Sequence, residues 1–222
     1  MTTRHLICVI KDKQYRLAQY GCWDGYLEGQ GKAIAEFLQV ADIGKFAAQI
    51  DKVTVLSLEE VNMRWAAAYS RFEQDPRRSW WTPPEILHLS RDCGSRILYY
   101  VMTEEAPEVY LSLSFAGESL FCEYCYVIDL DRACLEIFTG LNRSPLAEDA
   151  RFYGFEQHED NRAAFARLVE KGTPFYPVKH FRTVAFEALT PTLMADLAQE
   201  ISDPEEDDEP TQVILIATVV ND

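Results

Sequence analysis

The chain has 222 residues, 48% of them hydrophobic and 12% aromatic, which is enough apolar side chain for a sizeable core in one large domain or two small ones. A formal net charge of −15 and a pI near 4.7 argue against nucleic-acid backbones and anionic membranes as partners and favour basic ones. The opening "MTTRHLICVIKDKQYRL" lacks the apolar core of a signal peptide, and the longest apolar run, "VILIATVV", is too short for a helical membrane span. The expected location is therefore the cytoplasm, that of the host cell if the protein is viral. There the six cysteines, Cys8, Cys22, Cys93, Cys122, Cys125 and Cys134, are expected as reduced thiols that pack like small hydrophobes.

In chain order, "RHLICVIKD" and "KQYRLAQYG" predict two strands of a hairpin turning at Asp12-Lys13. After the glycine-rich "GCWDGYLEGQG" (21–31), "KAIAEFLQV" has apolar residues at one helix face, and "DIGKFAAQID" predicts a second helix with Asp42 as N-cap. Ser57 and Glu60 have capping-box spacing at the head of "SLEEVNMRWAAAYSRF", where Val61, Trp65, Ala68 and Phe72 recur at helical intervals. The proline-containing "DPRRSWWTPP" predicts a loop. Thr82 and Pro83 then suit the start of a helix through "EILHLSRDCGSRILYYVM", with a kink or break at Gly94.

"EVYLSLSF", "SLFCEYCYVIDLD" and "CLEIFTG" are β-like, the last two as a hairpin turning at "DLDRAC". Residues 144–153 are irregular. "HEDNRAAFARLVEKG" predicts a helix closed by Gly172, "YPVKHFRTVAFEAL" a strand, and "TPTLMADLAQEI" a helix capped by Thr190. The expected fold is a single α+β domain over 1–202, a mainly antiparallel sheet with helices packed on it. An acidic linker (203–210) and a C-terminal strand (211–222) follow, and that strand closes either its own sheet or, by exchange, a homodimer.

Candidate chemistry centres on the 21–31 loop. A phosphate cradle fits poorly: neither the P-loop nor the dinucleotide glycine pattern is complete, and Asp24 and Glu28 would repel an anion. A cysteine nucleophile at Cys22 beside Asp24 is a second reading, giving a hydrolase or amidotransferase-like activity. It needs a base from His5, His88, His158 or His180, and His5 is expected near the opposite end of the hairpin. In the plainest reading Trp23 and Tyr26 pack down and Asp24-Gly25 makes a turn, while Asp24, Glu28 and Gln30 line a small-ligand pocket.

Elsewhere, "CEYC" has zinc spacing without a second ligand pair, and its thiols are expected on opposite strand faces. No cofactor or metal set is expected. Asp129 and Asp131 read as turn chemistry, and "SRDCGSR" (90–96) as a solvated face carrying two arginines. Arg77, Arg78, Trp80 and Trp81 in "RRSWW" are of the residue types that dominate protein interfaces.

"RHLICVIKDKQYRLAQYGCWDGYLEGQGKAIAEFL" resembles a family of small bacteriophage and bacterial proteins that begin with a hairpin leading into a W-D-G-Y-P-x-G-Q-G loop and a helix. "HLSRDCGSRIL" and "FCEYCYVIDLD" are similar to later parts of that family, so the resemblance covers roughly the first two-thirds of the chain. Leu27 stands where the family has proline, which relaxes the loop. The family has no established activity, so the resemblance implies a viral or bacterial origin and one domain, and assigns no catalytic residue. The function expected from these features is a non-catalytic accessory or regulatory protein that binds a protein partner, with phage–host conflict as one setting.

Overall fold

The computed structural model describes residues 2–72 and 82–202. The "RRSWW" cluster, the acidic linker and the C-terminal strand expected over 211–222 lie outside the described residues.

Strands His5–Lys11 (β1) and Gln14–Gly21 (β2) pair antiparallel around Asp12 and Lys13, both at positive φ (53° and 60°). That backbone twist matches the twist of the strands it joins. Helices Lys32–Val40 (α1) and Ile43–Ile50 (α2) follow. Asp42 caps α2 by accepting from the Lys45 amide at 2.9 Å. Strand Thr54–Val55 (β3) leads to helix Leu58–Phe72 (α3). The Ser57–Glu60 capping box forms in both directions, at 2.7 and 3.3 Å.

The helix expected after Thr82 is divided. A 3₁₀ segment, Pro84–Leu89, is separated from helix Arg96–Thr103 (α4) by a turn in which Gly94 has φ +55°. "EVYLSLSF" does not form the expected long strand. Glu108–Val109 (β4) makes a two-residue parallel ladder with β3, and Leu113–Gly117 coils into 3₁₀. After one bond from the Ser112 amide to the Ala18 carbonyl, the chain turns away from the β2 edge, so its alternating pattern is spent on packing rather than pairing.

Tyr124–Asp129 (β5) and Cys134–Thr139 (β6) form the expected hairpin. Helix Glu159–Glu170 (α5), strand Lys179–Ala185 (β7) and helix Pro191–Ser202 (α6) complete the described chain. The sheet order is β2-β1-β5-β6-β7, with β1 and β5 parallel and the other neighbours antiparallel. The fold is α+β.

Both faces of the sheet are covered, which explains why β1 and β5 read as nearly unbroken apolar runs. Ile7, Val9, Tyr126, Ile128, Leu135 and Ile137 pack against α1, α2, α4 and α6 on one face. Leu6, Cys8, Ile10, Cys125, Val127 and Phe138 pack with Ala116, Phe152 and Val178 on the other. Cys122 joins Cys8 and Cys125 on that second face. The two thiols of "CEYC" therefore share one cluster instead of pointing apart, because Cys122 precedes the strand, which starts at Tyr124. No helix among the described residues is long and apolar enough to cross a membrane.

The second face also carries charge. Asp129 and Glu136 are 3% and 5% exposed. Arg151, from the irregular segment, donates to Glu136 through Nε and to Asp129 Oδ2 through Nη2 at 3.1 Å, and Arg132 donates to Glu136 as well. Asp129 Oδ1 accepts from the Asp131 and Arg132 amides, closing the β5–β6 turn, while Asp131 accepts from the Asp12 and Lys13 amides. Arg151→Met leaves two buried carboxylates with one arginine, and urea unfolding should show a loss of about 3–5 kcal/mol. Removing Arg64 from its exposed pair with Glu108 should shift the midpoint little.

Candidate functional site

The two-residue hairpin turn sets the site's position. It folds β2 back along β1 so that Gly21 lies opposite His5. His5 is thus next to Cys22, at the same end of the hairpin, contrary to the sequence expectation. Its imidazole packs against Gly21 and is fully buried, and neither ring nitrogen has a standard hydrogen bond. Burial lowers its pKa to about 4, with the Thr3 backbone and the Asp24 charge only partly opposing.

Beyond Gly21 the loop leaves the sheet and is pinned from below. The Gly25 amide donates to the Thr3 carbonyl at 3.1 Å, and the buried Tyr126 hydroxyl donates to the Gly25 carbonyl at 2.8 Å. Asp24 sits at φ +53°, and its carbonyl accepts from the Gln30 amide at 2.8 Å. That chain reversal brings Gly29 so close that a Cβ there would stand 2.2 Å from the Asp24 carbonyl oxygen, so the position needs glycine. Leu27–Gly31 then forms one wide helical turn feeding α1, with Leu27 buried. Leu27, rather than Trp23 or Tyr26, is the side chain that packs down. Trp23 and Tyr26 are 47% and 41% exposed.

Trp23 points at the other segment of interest, Ser90–Arg96. Its indole Nε1 donates to Asp92 Oδ1 at 2.8 Å, and Thr82 Oγ1 donates to Asp92 Oδ2 at 3.1 Å. The Cys22 amide donates to the Arg91 carbonyl at 3.0 Å, and Gln19 Nε2 to the Ser90 carbonyl at 2.8 Å. Gln30 closes the far side, accepting from the Ser95 amide at 2.7 Å while its Nε2 donates to the Trp23 carbonyl at 3.3 Å. Gly94 makes room for Gln30, since a Cβ there would stand 2.7 Å from Nε2. "SRDCGSR" therefore forms a turn that is half of a wall rather than a helix face, and its two arginines are solvent-exposed as expected. Its exposed Arg96 donates to the Asp92 and Cys93 carbonyls.

Together the loop, the turn and α3 enclose an open cleft of about 1220 Å³, lined by Trp23, Asp24, Gln30, Trp65, Tyr69, Arg91, Asp92, Ser95 and Arg96 among others. Of the loop residues expected to form a site, Trp23, Asp24 and Gln30 line it. Tyr26 and Glu28 are exposed nearby in the loop without being part of that lining. Trp65 and Tyr69 stack one helical turn apart, with centroids 5.5 Å apart and planes at 20°. Their i, i+4 spacing is the sequence signal for the pair, but the periodicity of Trp65 with Val61, Ala68 and Phe72 reads equally well as core. Arg77, Arg78, Trp80 and Trp81 lie outside the described residues, though Tyr69 and Thr82, on either side of that segment, both line the cleft.

As a nucleophile, Cys22 is poorly placed. Its Sγ lies 4.0 Å from Asp92 Oδ1, and burial raises its pKa, Arg91 and Arg4 opposing and Asp92 adding to the rise. The thiolate is disfavoured, and among the described residues no histidine hydrogen-bonds the thiol. A second cavity of about 510 Å³, beside Arg132, Glu136 and Arg151, is lined by charges already engaged with one another.

A scan against protein-family models finds no match to this chain, and neither does a search of curated proteins or one of solved structures.

The buried imidazole behind the loop makes the fold pH-sensitive. His5 titrates near 6.5 when unfolded and near 4 when folded, so between these values the unfolded chain holds a proton that the native state refuses. Stability is complete above pH 6.5 and falls by up to about 3 kcal/mol as the pH drops to 4. Urea unfolding of wild type and His5→Leu across this window should show the variant with the flatter profile. Parallel profiles would contradict it.

Proposed function

We propose that the chain is a non-catalytic accessory or regulatory protein of bacteriophage or bacterial origin that engages a protein partner through the Trp23–Trp65–Tyr69 cleft. The observation that carries this reading is the exposure of large aromatic rings against a wall held by directed hydrogen bonds. Trp23 and Tyr69 are 47% and 38% exposed, yet Trp23 is fixed by Asp92 and Tyr69 by its stack on Trp65. Rigid aromatic side chains in a pre-formed cleft give large contact area for little lost conformational entropy, which is why they dominate binding hot spots. The α3 helix supports the same reading. Its buried side chains are Val61 and Ala68, while Leu58 and Met63 are more than half exposed. The acidity of the chain favours a basic partner. The resemblance of the 21–31 loop and of "SRDCGSR" to phage and bacterial proteins supports the origin.

The alternative of a hydrolase or amidotransferase built on Cys22 and Asp24 loses ground to the raised thiol pKa. Native mass spectrometry of the tagged protein from lysate of its natural host tests the proposal. A polypeptide-sized mass gain is expected for wild type and should be lost in Trp23→Ala. A bare monomer, an adduct of small-molecule size, or an adduct retained in the variant would contradict it.

A further inference from the structure

Among the described residues four charged side chains, Asp24, Arg91, Asp92 and Arg96, line the cleft, and how each is engaged differs. Asp92 accepts from an indole and a hydroxyl, both neutral, and Asp24 has one long contact, 3.4 Å from the Tyr26 hydroxyl. Among the described residues neither carboxylate takes part in an ion pair. The guanidinium of Arg96 donates to two carbonyls of its own turn, and Arg91 is exposed beside Cys22, whose amide its carbonyl accepts. Among the described residues no arginine pairs with these rings either. The arginine–ring pairs among the described residues are Arg4 on Phe121, Arg143 on Phe175 and Arg182 on Phe181, although Arg91 and Arg96 share the cleft with Trp23, Trp65 and Tyr69.

We infer that the cleft receives a cationic side chain, arginine or lysine, of the partner, held against the Trp23, Trp65 and Tyr69 rings with Asp24 and Asp92 supplying the opposite charge. This rests on the binding reading above and names the chemistry of its anchor. Aromatic faces carry negative quadrupole density, so they attract cations, most strongly where water is excluded. The carboxylates act in the same sense, and the net charge of −15 steers basic segments toward the molecule. The Asp24 backbone is also held in place, because its left-handed conformation is locked by the Gln30 amide.

The test titrates a short Ser-Arg repeat peptide, and its Ser-Glu counterpart, into the full chain at fixed ionic strength while tryptophan fluorescence is followed. Asp24→Asn keeps the backbone, since asparagine tolerates positive φ. Tyr69→Ala removes one exposed ring, and Glu148→Gln removes an exposed charge in the irregular segment. Melting curves establish that each variant is folded. Saturable binding of the arginine peptide is expected, weakened about tenfold in Asp24→Asn and Tyr69→Ala and unchanged in Glu148→Gln. Equal weakening in all three variants would reduce the effect to general acidity and overturn the inference. So would the absence of saturation, or binding of the glutamate peptide that is lost in Arg91→Ala. In those cases host-partner capture that still depends on Trp23 leaves the binding reading standing, whereas its failure removes that reading as well.

Discussion

The site depends on one carboxylate. Asp92 accepts from Trp23 and from Thr82, and so ties the loop after β2 to the turn before α4, two segments about 70 residues apart in sequence. Both bonds come from neutral donors, so Asp92 organises the wall without an ion pair among the described residues. Gln30 reinforces the connection from the other side by bridging the Trp23 carbonyl and the Ser95 amide. Without these contacts the aromatic side chain of Trp23 would be one more exposed loop residue. With them it is a fixed surface.

The sheet makes this arrangement possible. The parallel pairing of β1 with β5 places Tyr126 beneath the loop, where its hydroxyl holds the Gly25 carbonyl. The register of β1 with β2 puts His5 behind Gly21, filling space without offering a charge at neutral pH. At the opposite ends of β5 and β6 the network of Asp129, Glu136, Arg132 and Arg151 fastens the irregular segment to the second face. Charge is therefore paired on that face, whereas neither Asp24 nor Asp92 has an ion-pair partner among the described residues.

Much of this was legible in the sequence because local rules carried it. The Asp12-Lys13 turn, the Asp42 cap, the Ser57–Glu60 box, the Thr190 cap and the β5–β6 hairpin each follow from a few adjacent residues. What was not legible depends on distance in the chain. "GCWDGYLEGQG" and "SRDCGSR" each stood out, yet nothing in either says that Trp23 donates to Asp92, since that bond exists only once the sheet and α4 are in place. Trp65 and Tyr69 match core periodicity as well as cleft lining, and only their packing decides. "EVYLSLSF" failed for the same reason: its alternation is real, but after one bond to Ala18 it turns into 3₁₀ instead of extending along β2.

The most direct measurement is amide hydrogen exchange on wild type and Asp92→Ala. If Asp92 is the bond on which the cleft depends, the amides of Cys22 and Gln30 in the loop and of Cys93 and Ser95 in the turn lose protection together, while those of β1 and β5 keep theirs. Loss confined to the turn, with the loop still protected, would contradict that account.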